Sequence, residues 1–319
     1  MTANPSRMSR YRTTGRFLLL CAVWGTAFMA TDVGLADLPA VPFAAVRFDI
    51  AAALLFAAVF VSDADVYPRT MDDFVYVLVG GTLTIGAHHA FLFTGQQYVT
   101  GGVAAVLLGL VPVVTPALTR LVATDEQLTA ATAVGVMLGF AGVVIIANPD
   151  PTNIADSVLG VSLVLASAFA FAVAAVVTHS RSPSLPFLST QAWLMATGAV
   201  VLHVAVLVLP GQSFAAATWT PSALGALTYL SVVAGVGGFL LYFRLLDDLG
   251  PIEMSFIEYV IPVFAALAGW LVLGQEITPA TVVGFAFILS GFLASKWRAL
   301  RLRSVVVTTI SSFTGPRDD

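Results

Sequence analysis

Seven side chains limit the chemistry available to this sequence. Asp32, Arg47, Asp49, His88, His89, His203 and Glu258 lie within long apolar runs, away from their ends. If those runs cross a bilayer, a charge near mid-helix costs roughly 2.5–3.5 kcal/mol on insertion scales and needs a partner or a water-filled cavity. Glu258 leads the group. It stands four residues before Pro262, whose missing N–H leaves the Glu258 carbonyl without its helical partner. A carboxylate and a free backbone acceptor therefore occur at one level, beside an expected kink. Ser255, Glu258, Pro262, Ala265, Ala266 and Gly269 share a small, polar helical face that should turn inward. The alternative for Glu258 is a buried structural acid satisfied by a neighbouring helix.

Arg47 and Asp32 compare by depth. At 1.5 Å per residue each lies about 6–9 Å below the same end of its run, on adjacent runs of opposite direction. An Asp32–Arg47 pair, structural or gating, is therefore the expected partnership, while Glu258 lies about 9 Å from the opposite side and is a poorer static partner for Arg47. Asp49 turns about 200° away from Arg47. His88 shares a face with Gly81, Thr84 and Gly95 and is a candidate proton relay near neutral pH, or else a bond to a neighbouring helix. His89 points about 100° away from it. Ser231, Gly235, Gly238 and Tyr242 form another small-polar stripe. Trp24 sits at a depth similar to Glu258, able either to wall a pocket or to serve helix packing.

Other chemistry finds no residues. The chain lacks H-E-x-x-H, G-x-S-x-G, a P-loop, and a G-x-G-x-x-G after a strand. His88 and His89 are adjacent and cannot hold one metal from a single helical face, and Cys21 is the only cysteine, so no metal site, cofactor or disulfide framework is expected. Nucleic acid would meet no basic surface.

The elements that must position these residues follow from composition. Hydrophobic residues make up 58% of the 319 positions and charged residues 10%, with a mean hydropathy of +0.93. So few charges cannot cover a water-facing surface, which makes this an all-α integral membrane protein. Apolar runs near 20 residues, the length that crosses a bilayer as a helix, fall at about 17–36, 42–61, 74–95, 101–123, 128–147, 157–178, 188–209, 222–245, 252–273 and 278–295. The first lacks a small-residue cleavage site and reads as a span rather than a signal peptide. With the N-terminus inside, every loop and tail arginine or lysine, from Arg7 through Arg69 and Arg181 to Arg317, falls on the cytoplasmic side or at a span end there. Ten spans with both termini cytoplasmic are expected.

The chain also repeats itself. Val111-Pro112-Val113 lies 150 positions before Ile261-Pro262-Val263, and Glu126 the same distance before Glu276. After a one-residue slip, Gly135 and Gly142 correspond to Gly284 and Gly291. Two apolar helices with an acidic turn between them thus occur twice, with Pro112 and Pro262 as expected helix kinks. Because each half holds five spans, an odd number, the second enters the membrane in the opposite sense, an inverted repeat.

Trp24-Gly25-Thr26-Ala27-Phe28, Ala45-Val46-Arg47-Phe48, and the stretch from Leu249-Gly250-Pro251 through Pro262-Val263-Phe264-Ala265-Ala266 to Gly274-Gln275-Glu276-Ile277-Thr278-Pro279 resemble the EamA domains of the drug/metabolite transporter superfamily. The first half departs from the pattern, with Gly101-Gly102 in place of Pro251-Ile252 and a second proline at Pro116. The resemblance covers about residues 17–147 and 157–295. It implies ten helices and export or exchange of small metabolites, often amino acids. It also implies a cavity lined by spans 1–4 and 6–9, with spans 5 and 10 in support.

The expected organisation is a cytoplasmic tail at 1–16, a first five-helix repeat at 17–147, an external linker at 148–156, a second repeat at 157–295 and a cytoplasmic tail at 296–319. The expected function is transport of a small polar metabolite across the plasma (inner) membrane by alternating access. The expected partners are a small-molecule substrate, the lipid bilayer and, as a coupling ion, protons. Substrate and proton-pathway candidates are Glu258, Arg47, His88, Asp32, Trp24 and Tyr242. The competing readings are an intramembrane enzyme acting on a lipid-linked substrate, for which the chain shows no nucleophile or metal cluster, and a sensor or scaffold, for which it shows no large extramembrane domain.

Overall fold

A computed structural model describes residues 5–122, 130–147, 154–179, 181–249, 254 and 257–294. The acidic turn at Glu126, most of the 148–156 linker, Pro251, Ser255 and the tail from 296 lie outside the described residues, as does the side chain of Pro116. The elements are all helical: α1 (Pro5–Leu35), α2 (Ala40–Val61), α3 (Met71–Gly80), α4 (His88–Gly95), α5 (Gly101–Leu108), α6 (Val111–Val122), α7 (Ala130–Ala147), α8 (Ile154–His179), α9 (Phe187–Val208), α10 (Pro221–Thr228), α11 (Gly238–Leu249), α12 (Ile257–Leu273) and α13 (Pro279–Ala294). A π-helical segment, Gly81–Ala87, joins α3 to α4, and a second, Tyr229–Gly237, joins α10 to α11.

Among the described residues, six helices are long and apolar enough to cross a membrane: Arg12–Leu35, Ala40–Val61, Met71–Gly95, Ala155–Thr178, Phe187–Val208 and Pro221–Tyr242. Four shorter apolar helices, Gly101–Thr115, Ala133–Ile146, Ile257–Leu273 and Pro279–Ala294, occupy the other expected span positions. The outer surface is apolar: Val61, Leu207, Val144 and Leu271 are 70–89% exposed. Such a surface belongs in lipid, where helices satisfy their own backbone groups.

Local sequence sets the helix ends. Thr70 and Asp73 form a capping box at α3, Thr100 caps α5, and Thr220 caps α10 with Pro221 in its first turn. After α12 the chain turns through Gly274 at φ +65°, a conformation open to glycine without steric cost.

The two halves exchange elements. From the first half, α1 packs on α10, α11 and α12, while from the second half α8 packs on α4, α5 and α6. The second spans, α2 and α9, pack on each other and each also covers the other half's π segment. Those π segments begin 148 residues apart, close to the 150-residue offset of the sequence repeat. The loops follow the same rule. At one end the Val41 N–H donates to Gln212 Oε1 (3.0 Å) and the Thr218 N–H to the Asp37 carbonyl (2.9 Å). At the other, the buried Asp73 carboxylate accepts from the N–H groups of Arg69, Thr70, Ser184 and Leu185 and from the Ser184 hydroxyl, all within 2.7–3.0 Å. This clamp had no sequence signal beyond the Thr-x-x-Asp cap.

The four repeat glycines meet one another. A methyl group added to Gly142 would lie 2.5 Å from the Gly284 carbonyl oxygen, and one on Gly291 would lie 2.5 Å from that of Gly135. Descending α7 from 142 to 135 ascends α13 from 284 to 291, so these helices cross antiparallel and backbone to backbone, as small residues allow. Gly142→Ala should cost about 1–3 kcal/mol by forcing the helices apart. Gly225→Ala, where an added methyl meets nothing within 4 Å, is the matched control. Equal thermal midpoints for the two variants would contradict the tight crossing.

Candidate functional site

The polar residues singled out in the apolar spans sort into four groups, three of them clusters and the last a single pair. The first is a knot around Asp32 near the end of α1. Its Oδ1 accepts from Gln96 Nε2 (2.9 Å), and its Oδ2 accepts from the Gly101 N–H (2.9 Å) and Gln275 Nε2 (2.8 Å). Gly101 opens α5, so the carboxylate also faces a helix N-terminus, where negative charge is favoured. Gln275 reaches it because the Gly274 turn sends its N–H back to the Gly269 carbonyl (3.1 Å), with its side chain lying over Gly269, where a Cβ would leave no room. The Gly274-Gln275 stretch of the motif thus builds the turn and the donor.

The expected Asp32–Arg47 pair does not form, because three N–H donors already occupy the Asp32 oxygens. Arg47 is instead 8% exposed, its guanidinium carbon 4.8 Å from the Phe48 ring centre and 5.7 Å from that of Phe93. It makes no ion pair with any described residue, and its Nε is fully buried with no hydrogen-bond partner among them. Beside it, the His89 ring stands edge-on to Phe48 (4.5 Å) and to His88 (4.6 Å). His89 Nδ1–H donates to the Ile85 carbonyl within the π segment (3.0 Å). His88 Nδ1 meets the Ser167 hydroxyl at 2.7 Å and its carbonyl at 3.2 Å, binding α4 to α8.

The third group surrounds Glu258 in the first turn of α12. Its carboxylate is half-buried and makes no hydrogen bond or ion pair among the described residues. Cys21 of α1 and Tyr242 of α11 lie within its electrostatic reach. Trp24 closes one side: its indole stacks on Tyr242 at 5.4 Å, meets Phe239 at 5.5 Å, and donates to the Ala234 carbonyl of the second π segment at 3.1 Å. Gly238 admits that indole, and Gly25 lets α1 approach the Ile261 carbonyl of α12, so the Trp-Gly pair sets both contacts. Of the expected inward stripe, Pro262, Ala265 and Gly269 are buried and Glu258 and Ala266 are half-buried, whereas Val263, Leu267 and Leu271 are exposed.

The two prolines differ in use. Pro262 lies inside α12. Pro112 is not a kink within a continuous helix; the break falls earlier, at Gly109-Leu110, and Pro112 sits in the first turn of α6, where its missing N–H costs little. The Gly109 break lies beside the Glu258 carbonyl, 3.7 Å from where a Cβ would stand.

Asp49 and His203, read from sequence as separate residues, pair at 2.8 Å across α2 and α9, with side chains 46% and 42% exposed. An apolar crevice of about 310 Å³ is lined by Leu110, Val111, Val114, Phe140, Leu165 and Phe169 among others, and by none of the polar side chains of these groups. No cluster of three or more His, Cys, Asp or Glu able to hold a metal occurs among the described residues. Sequence reading did not single out Gln96, Gln275, Ser167 or Phe93. Of these, Gln275 stood inside a quoted motif.

Three comparisons bear on this arrangement. The EamA-like transporter family matches residues 16–148 and 158–295. The chain is 25% identical over 270 residues to an uncharacterized transporter, YoaV, of Bacillus subtilis (strain 168), covering 84% of this chain and 91% of that protein. It is 26% identical over 297 residues to a probable amino-acid metabolite efflux pump of Escherichia coli (strain K12), covering 88% and 95%. A solved crystal structure, 20% identical, shares the fold with a TM-score of 0.61 over 92% of this chain and 99% of that one.

Proposed function

Since the chain belongs to the EamA-like transporter family, we propose that this membrane transporter moves a small polar metabolite, in the first instance an amino acid, by alternating access. The observation that carries the reading is the reciprocal packing of the halves. Each half lends its first two spans to the other half's π-interrupted third span, and the fifth spans cross antiparallel through the repeat glycines. Two structurally similar, oppositely inserted halves provide two nearly equivalent packings of the same bundle, one open to each side. The irregular backbone of the π segments, Gly109 and Pro262 is the kind tolerated at membrane depth where it is enclosed by protein or lines a cavity. Substrate class follows from the sparse charge: one arginine buried among the described residues suits a carboxylate, whereas a polyphosphate would need several. The efflux-pump relative supports amino acids as the first compounds to test. Glu258 is the proposed proton carrier, with Tyr242 and Trp24 as its walls.

Saturable flux of amino acids into liposomes holding the purified protein, with and without a pH gradient, tests this. Absence of saturable flux across a broad metabolite panel, with folding verified, counts against it. The topology proposed is ten spans in the plasma membrane with both termini cytoplasmic. Cys21 is fully buried, so single introduced cysteines report position cleanly. Ser213→Cys should react with a membrane-impermeant maleimide on intact cells, and Tyr67→Cys only after permeabilisation. Reversed labelling would invert the orientation.

A further inference from the structure

We infer that Arg47 is the anchor for a carboxylate group, held in a cradle of Phe48, Phe93 and His89, and that the bound solute supplies the counter-charge the protein omits. A guanidinium that is 8% exposed, with Nε unpartnered and no ion pair among the described residues, is an uncompensated buried charge. Such charges are strongly destabilising when no anion is present. The nearest explanation inside the chain fails, since Asp32 is saturated by Gln96, Gly101 and Gln275. The two neighbouring histidines offer no anion either, being engaged with Ser167 and Ile85. What surrounds the guanidinium is aromatic: its carbon lies over the Phe48 and Phe93 rings, 4.8 and 5.7 Å from their centres, and the His89 edge lies against Phe48.

Aromatic packing weakly compensates a cation but leaves its N–H donors unused. A planar fork with open donors matches the two oxygens of a carboxylate. Apolar rings alongside favour a solute whose remaining part is small and apolar. This position sits on α2, which packs against both α9 and the second π segment, so an anion held there bears on both halves at once.

The inference rests on the transporter reading only for the route by which the solute arrives; binding to the purified protein in detergent needs no transport. The experiment is thermal unfolding of wild type, Arg47→Met and Arg47→Lys against a series of carboxylates from acetate to hexanoate. The matching primary amides and chloride at equal ionic strength complete the panel. Wild type should rise by about 2–4 °C with a carboxylate at tenfold excess over its Kd. The isosteric amide should give no rise. Arg47→Met should unfold at or above the wild-type midpoint without solute, having shed an unpaired charge, and should respond to no carboxylate. Arg47→Lys, which keeps the charge but loses the fork, should bind about tenfold or more weakly.

Three results each overturn the proposal: no carboxylate shifts the wild type, chloride shifts it as much as the carboxylates, or carboxylate affinity is unchanged in both variants. Loss of metabolite flux with these shifts intact would count against transport and leave the anchor standing.

Discussion

Glu258→Gln is expected to abolish accumulation driven by a pH gradient, by at least about a hundredfold in initial rate, while exchange or downhill flux persists. Glutamine keeps the size and the acceptor oxygen but can neither bind nor release a proton in this range. In the structure, the carboxylate has no hydrogen-bond or ion partner among the described residues, and it stands where Pro262 frees a carbonyl and the α5–α6 chain breaks. A purely structural acid would have been given donors, as Asp32 and Asp73 are. Removing an unpaired, half-buried charge costs the fold little, so lost coupling would not be mistaken for unfolding. The measurement is uptake into liposomes at several imposed pH gradients, wild type beside Glu258→Gln. Gradient-driven flux of unchanged size and pH dependence in the variant would remove Glu258 from the proton pathway.

Much of this architecture was legible beforehand because lipid imposes strong local rules. Apolar run length and the recurrence of Pro112/Pro262 and Gly135/Gly284 act through backbone geometry or hydrophobicity, which short windows of sequence display. The glycines went further: their spacing placed them as a repeat, and the structure shows why, since Gly135 faces Gly291 and Gly142 faces Gly284. Polar partnerships were not legible in the same way. Asp32 finds its donors 64, 69 and 243 positions away, and two of them are glutamines, whose amides carry no charge for a depth argument to match. Depth alone paired Asp32 with Arg47, and it failed because it counted charges and ignored uncharged donors. The same blindness separated Asp49 from His203, which lie in different halves and yet meet at 2.8 Å. The π segments were hidden too, since glycines such as Gly81 and Gly235 permit the extra residue without announcing it.

Asp32 supplies the second large effect, and its two variants discriminate between partnerships. Asp32→Ala removes an acceptor from Gln96, Gly101 and Gln275 together, leaving three N–H donors unsatisfied where α1, α5 and the end of α12 meet. Each lost charge-assisted bond contributes about 1.5–3 kcal/mol, although the losses overlap, so a total near 3–5 kcal/mol is expected. Asp32→Asn should cost only about 1–2 kcal/mol. The asparagine oxygen can still accept from Gly101 and Gln275, and its new N–H₂ can meet Gln96, whose Oε1 is buried and unpartnered in the native chain, once that amide turns over and gives up its bond to the Phe28 carbonyl. Thermal unfolding of the two variants therefore reads the identity of the partners. Were Arg47 the true partner, loss of the carboxylate charge would dominate and asparagine would be nearly as damaging as alanine. A large gap between the variants, with asparagine close to wild type, supports the amide knot; equal damage restores the ion pair and with it a counter-charge for Arg47.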